Sequence, residues 1–139
     1  MSAKHDVIWK WIEKADQDLG TAKLTYLHIP EFRETIAFHC QQAVEKYLKS
    51  FLFFLDIPLT RTHDLGYLLG LVSMKDPVAV EIYNKAAELE DFAVEIRYPD
   101  TIIVLTNEDI ERAIQIAIEF RSYVLEKMKL DEGVEAPKK

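Results

Sequence analysis

One cysteine, four glycines and five prolines are spread over 139 residues, and no long apolar run occurs. Each scarcity removes a class of explanation. The single Cys40 cannot close an internal disulfide, so cross-links are no part of the expected stability and no oxidising compartment is called for. Gly20, Gly66, Gly70 and Gly133 are scattered and none precedes a Lys-Ser/Thr pair, which removes a glycine-rich phosphate loop. A bound nucleotide would have to be held by side chains. His5, His28, His39 and His63 fall on separate segments and, with one cysteine, give no zinc spacing, so neither a metal nor a cofactor is expected. The longest mainly apolar stretch, Phe51 to Leu55, is far short of the roughly 20 residues of a spanning helix. The N-terminus lacks the apolar stretch of a signal peptide, and a soluble cytoplasmic protein is the expectation. Basic charge is also short: 17 Lys and Arg against 24 Asp and Glu leave a net charge of −7. That balance argues against non-specific binding to phosphate backbones, which comes from clustered cations, while leaving room for a local basic pocket.

What the chain has is helical period. Its length suits one domain able to bury about two thirds of its unfolded surface. Ile8, Ile12, Ala15, Leu19, Ala22 and Tyr26 recur at alternating spacings of four and three and predict a helix over Asp6 to His28. His28-Ile29-Pro30 breaks it, and a second helix is expected from Glu31 to Asp56, where Asp56-Ile57-Pro58 ends it in the same manner. Thr62 is the expected cap of a short helix carrying Leu65, Leu68, Leu69 and Val72. Asp76-Pro77 opens the next, with Val78, Ile82, Ala86, Leu89 and Ala93 on its inner face up to about Glu95. Thr106 or Asn107 caps the last, which carries Ile110, Ala113, Ile114, Ala117, Val124 and Met128 inward and runs to about Leu130. The prediction is an all-α protein: an antiparallel up-and-down four-helix bundle over residues 1–130, with an additional short helix after helix 2 and a frayed or disordered tail over 131–139. The β-branched run Thr101 to Leu105 reads as a short extended segment packed on the bundle or across a subunit boundary. With Trp9, Trp11 and Tyr26 it predicts a homodimer.

Helix 2 carries two faces. At about 100° per residue, His39, Gln42, Lys46 and Lys49 fall within roughly a quarter of its circumference, opposite an arc of Ile36, Cys40, Ala43, Val44, Tyr47, Leu48, Phe51 and Leu55. The ridge reads either as a solvated edge or as a site. Glu88, Glu90, Asp91 and Glu95 cluster on the fourth helix, and a solvated acidic face is the expectation there, ahead of a cation site.

Four blocks in order carry a resemblance: Asp18-Leu19 with Ala22, the segment Phe38-His39-Cys40-Gln41-Gln42-Ala43-Val44-Glu45-Lys46-Tyr47-Leu48-Lys49, Thr62-His63-Asp64-Leu65, and Arg97-Tyr98-Pro99-Asp100. Together they resemble the HEPN domain family, from about residue 9 to 128. The resemblance implies a helical bundle, often dimeric, encoded beside or fused to a minimal nucleotidyltransferase, in a family linked both to nucleotide binding and to RNA cleavage. The cleaving members resemble one another in an Arg followed, after four to six residues, by a His near the start of the final helix. In such a site a His acts as base on a ribose hydroxyl while the Arg stabilises phosphate charge. Here Arg97 is followed at those distances by Ile102, Ile103 and Val104, and no His comes after it. Arg33 and His39 match the spacing formally, but six residues on a helix separate directions by about 120°, and the match reads as accidental.

The family pattern leaves a candidate nucleotide-binding pocket of His39, Gln42 and Lys46 from helix 2, His63 from the loop after it, and Arg97 with Tyr98. Each has a plainer reading: a core histidine at His39, a solvated charge at Lys46, a loop fastener at His63, a helix-end clamp at Arg97. A guanidinium stiffened by Tyr98 and Pro99 could grip a phosphate with two parallel hydrogen bonds, which makes Arg97 the leading member. The expected function is a nucleotide- or RNA-binding module, non-catalytic or weakly catalytic, acting with a minimal nucleotidyltransferase and related to toxin-antitoxin pairs. The alternatives are a ribonuclease with a non-standard Arg/His site and a structural homodimer or interaction module.

Overall fold

A computed structural model describes residues 2–94 and 104–130 of the chain. Five helices form in order: α1 (Ala3–His28), α2 (Arg33–Phe54), α3 (Leu65–Ser73), α4 (Val80–Phe92) and α5 (Asn107–Lys127). No strand occurs among the described residues. Pairings along the helices give their directions. Asp18 meets both His39 and Lys46, and Lys4 meets Asp56, so α1 and α2 are antiparallel. Asp16 meets Arg121 and Tyr26 meets Glu111, so α1 and α5 are antiparallel too. Glu88 with Arg112 and Lys85 with Glu119 set α4 against α5. This is the predicted up-and-down bundle with α3 as the added short helix. Within it α2 touches every other helix, whereas α1 and α4 do not meet.

The apolar stripes close the core as the period predicts. Ile8, Ile12, Ala15, Leu19 and Ala22 of α1 are buried against Ile36, Ala37, Cys40, Ala43, Val44, Leu48 and Phe51 of α2. Small side chains at Ala15, Ala22, Ala37 and Ala43 allow the close approach on which ridge-into-groove packing depends. Leu65, Leu68, Leu69 and Val72 of α3 are all buried, and α5 contributes Ile110, Ala113, Ile116, Ala117, Phe120 and Val124. Ile114, expected inward, is only half-buried, because Ile116 and Phe120 take the centre of that face.

Helix ends depart from expectation where the cap is not the residue the pattern suggests. Glu31 lies in a turn, with the Phe32 N–H on the Ile29 carbonyl, so α2 begins at Arg33. Its end is set by Asp56, at φ 60°, whose left-handed turn lets the Ile57 N–H reach back to the Leu52 carbonyl. Thr62 does not cap α3. Asp64 does, accepting the Tyr67 N–H at 3.1 Å, while the Thr62 hydroxyl accepts the Asp64 N–H and shapes the approach. Asp76 is engaged by Lys127 of α5 at 3.5 Å, and α4 begins three residues after Pro77, from Ala79, with no side-chain cap. At α5 the expected Thr106 cap forms with Asp109 in a reciprocal capping box. Of the apolar run before it, Leu105 is buried and Val104 is exposed, and Thr101 to Ile103 lie outside the described residues, as do Glu95 and the 131–139 tail. The aromatic residues from which the sequence predicts a homodimer are occupied within the chain. Trp9 is buried, Trp11 lies under the Lys49 ammonium and Tyr26 donates to Glu111.

One polar contact crosses the core. Asp16 of α1 accepts from the Tyr47 hydroxyl of α2 at 2.5 Å and from the Arg121 guanidinium of α5 at 2.8 and 3.2 Å, tying three helices at one level. Burial and the adjacent carboxylate hold the Tyr47 phenol well above its ordinary range, so it remains a donor. Removing different members should separate their roles in urea unfolding. Tyr47→Phe loses one hydrogen bond and is expected to cost about 1 kcal/mol. Asp16→Ala leaves the buried Tyr47 hydroxyl unpaired and removes the Arg121 ion pair, and should cost about 2 kcal/mol; equal losses in the two variants would show that the carboxylate does not organise the cluster.

Candidate functional site

The polar groups around α2 are organised by two carboxylates, each held between one lysine and one histidine. On the α1 side, Asp18 accepts from His39 Nδ1 at 2.9 Å and from Lys46 Nζ. His39 and Lys46 are seven residues apart, nearly two full turns, and so reach the same partner. On the α3 side, Glu45 accepts from Lys49, one turn ahead, at 2.8 Å and from His63 Nδ1 at 2.7 Å. The Glu45 side chain is only 5% exposed while the His63 ring is 76% exposed, so a buried carboxylate is hydrogen-bonded from the surface. A carboxylate has no proton to give, so in both contacts the imidazole Nδ1–H is the donor.

Gln41 completes the attachment of the α2–α3 loop. Its amide donates to the His63 carbonyl at 2.8 Å and its oxygen accepts from the Gln42 amide at 3.0 Å. Beside this pair opens a cleft of about 450 Å³ lined by Phe38, Gln41, Gln42, His63, Asp64, Glu90 and Ala93. It lies between α2, the start of α3 and the end of α4. Glu90 is turned toward α3, where one of its oxygens accepts the Leu65 N–H at 3.1 Å. Burial, with Asp64 and Asp91 nearby, holds its carboxyl above the ordinary value of 4.5. Among the described residues the cleft lining includes no Lys or Arg.

Of the predicted site residues, Gln42 and His63 share this cleft. His39 and Lys46 face Asp18 instead, and Lys46 lines a separate groove of about 260 Å³ with Lys14, Gln17, Asp18 and Thr21. Arg97 and Tyr98 lie outside the described residues. The formal Arg33 and His39 pair is divided: the guanidinium binds the Asn107 side chain at the head of α5, at 3.0 and 3.3 Å, while the imidazole binds Asp18. The acidic cluster on α4 is not simply solvated, since Glu88 pairs with both nitrogens of Arg112 at 3.0 and 3.1 Å and Glu90 holds Leu65. Cys40, within the second sequence block, is fully buried, and burial pushes its thiol up to about 12, which makes it a packing residue and not a nucleophile.

Phe38, Gln41, Glu45, Asp64 and Glu90 were not singled out by sequence as site residues. A signal for two of them exists: Gln41 and Glu45 are one turn apart and interleave with Leu48 and Leu52 on a face that is otherwise apolar. Among the described residues no group of His, Cys, Asp and Glu is arranged to hold a metal, and no helix is long and apolar enough to cross a membrane.

A family model described as the HEPN domain matches residues 8–128. Among solved structures, ST0689, an archaeal HEPN homologue, aligns with a TM-score of 0.70 and 26% identity, over 87% of this chain and 97% of its own. TT1696 from Thermus thermophilus aligns with a TM-score of 0.73 over 88% of this chain and 98% of its own, and at 22% identity it shows the fold alone. No curated protein matches the chain.

The raised Glu90 carboxyl has a measurable sign. The unfolded chain releases this proton near the ordinary 4.5, the folded chain at higher pH, so the folded state holds the extra proton between the two. Its contribution to stability is present below that window and lost as pH rises through the folded value. Glu90→Gln keeps an oxygen for the Leu65 N–H and removes the half-buried charge. Partial exposure moderates the effect, and the variant should melt about one to two degrees above wild type at pH 7.5 and level with it near pH 4. A lower melting temperature for the variant at pH 7.5 would contradict this.

Proposed function

The chain belongs to the HEPN domain family, and from that premise we propose that it is a nucleotide- or RNA-binding module, homodimeric, that works with a minimal nucleotidyltransferase in the manner of a toxin-antitoxin pair and does not itself catalyse a reaction. The observation that carries the proposal is the cleft at Phe38, Gln42, His63 and Glu90, built from the second and third sequence blocks of the family and closed at one edge by Ala93, two residues before the segment that leads to Arg97 and Tyr98. It combines an aromatic ring, an amide and titratable groups in a concavity of small-molecule size. The absence of a His after Arg97 supports the non-catalytic role.

An apolar surface at one end of the bundle supports the dimer. Leu24 and Leu27 of α1, Phe32 before α2 and Val104 before α5 are all exposed, and Phe32 and Val104 line one groove. One feature favours ribonuclease activity as a second reading: Glu45 anchors the exposed His63 ring through Nδ1, as a carboxylate anchors a catalytic histidine.

A melting screen against nucleotides and short RNAs, with RNA length checked after incubation, tests both readings. Ligand at about 100 times its dissociation constant adds roughly 2.7 kcal/mol, a shift of several degrees for a domain of this size. The shift should appear in wild type, shrink in Arg97→Ala and Gln42→Ala, and leave RNA uncut. RNA cleavage lost in His63→Ala would establish the second reading, and no shift with any nucleotide or RNA would refute the binding module. Light scattering should give twice the chain mass, falling to the single-chain mass in a Leu27→Glu, Phe32→Glu double variant that melts as wild type does.

A further inference from the structure

The lining of the cleft specifies more than nucleotide binding. Its charges are acidic, Asp64 and Glu90, with His63 engaged by Glu45 and no Lys or Arg among the described residues around it. A phosphate seated here would face two carboxylates. A nucleobase would not, because its edge can donate. Some donors of the cleft are used internally: the Gln41 amide goes to the His63 carbonyl and one N–H of the Gln42 amide to Gln41, so the Gln42 carbonyl and its second N–H are left for a ligand. Glu90 gives one oxygen to the Leu65 N–H, and its other oxygen has no partner among the described residues. Phe38, half-buried, lines the same cleft and meets the His39 ring in a T-shaped contact, with centroids 5.5 Å apart and planes at 73°, and an aromatic ring in the lining is a stacking surface for a base.

On the nucleotide-binding reading, we propose that this cleft receives the base of the nucleotide, with its ring against Phe38, and selects bases that carry an exocyclic amino group, whose hydrogens go to the Glu90 carboxylate and the Gln42 carbonyl. Phosphate remains outside the cleft. Carboxylates select in this way because an amino group donates to them, whereas the carbonyls that replace it in uracil are repelled. An acceptor that a ligand covers without pairing makes the discrimination larger than the gain from the bond itself. The raised Glu90 carboxyl is consistent with this role, since a donor brought by the ligand would stabilise its charged form.

Calorimetric titration of the full chain with adenosine monophosphate, the same nucleotide lacking the 6-amino group, uridine monophosphate, adenosine and inorganic phosphate decides the matter. Adenosine monophosphate should bind about tenfold more tightly than its deamino analogue and than uridine monophosphate. Adenosine should retain binding, and inorganic phosphate alone should give no heat. Glu90→Gln should erase the preference, while Phe38→Leu should weaken all bases alike by about tenfold. Equal affinity for the three nucleotides, or phosphate binding as tightly as adenosine monophosphate, would overturn base selection and leave nucleotide binding standing. Binding of no nucleotide at all would remove both. Circular dichroism checks the folding of each variant, and should Glu90→Gln fail to fold, the wild-type comparison of the amino and deamino nucleotides decides alone.

Discussion

Enclosure of α2 is the constraint on which the rest of this structure depends. From Ile36 to Leu52 the helix is buried around most of its circumference, and Gln41, Glu45 and Ser50 are buried with it. A carboxylate taken out of water costs several kcal/mol unless charge and hydrogen bonds replace the solvent. Glu45 therefore needs Lys49 from its own helix and His63 from the loop beyond. Once His63 is drawn in, Gln41 fixes its carbonyl and the loop can leave α2 in only one direction. Asp64 then stands at the head of α3, and the next amide, Leu65, is presented to Glu90 of α4. The cleft is thus a by-product of neutralising one buried charge, and its acidic lining follows from anions gathered at the positive end of a helix.

The α1 side shows the same device used for alignment. Asp16 and Asp18 flank the apolar stripe of Ala15, Leu19 and Ala22, one on each side, so a single helix presents carboxylates toward both α5 and α2. Apolar stripes alone tolerate a slide of one turn, because one Leu or Ala replaces another at about 5.4 Å. Two charged contacts at one level do not. Sliding α1 would break the contacts of Lys46 and the Tyr47 hydroxyl together, and the cost of those lost bonds fixes the register that the core leaves open. Here ion pairs add specificity of alignment more than net stability.

The helices were legible in the sequence because period and burial express the same physics: Leu65, Leu68, Leu69 and Val72 are inside for the reason that makes them periodic. Ends were less legible where the deciding partner is distant. Asp76 looks like a cap beside Pro77 until Lys127, 51 residues away, engages it. Gln42 and His63 could be picked out as polar members of the family's blocks. Gln41 and Glu45 show only as polar residues one turn apart within an apolar arc, and their role needs the loop that satisfies them, which lies 18 to 22 residues further along. Glu90 read as part of a solvated cluster for the same reason.

Charge joins these levels. A chain with net charge −7 repels a polyanion at long range, and the described lining of the cleft adds to that repulsion locally. Phosphate binding along α2 would draw on the cations of that helix, yet Lys46 is committed to Asp18 and Lys49 to Glu45. Each of these pairs also holds helices or loops together, so freeing the cation would loosen the bundle. Base stacking and amino-group recognition at Phe38, Gln42 and Glu90, which line the cleft, require no such exchange, because the structural pairs remain intact. Affinity gained in that way depends weakly on salt, unlike the counterion release that drives phosphate contacts, and it is compatible with an acidic protein selecting single nucleotides or unpaired bases over duplexes.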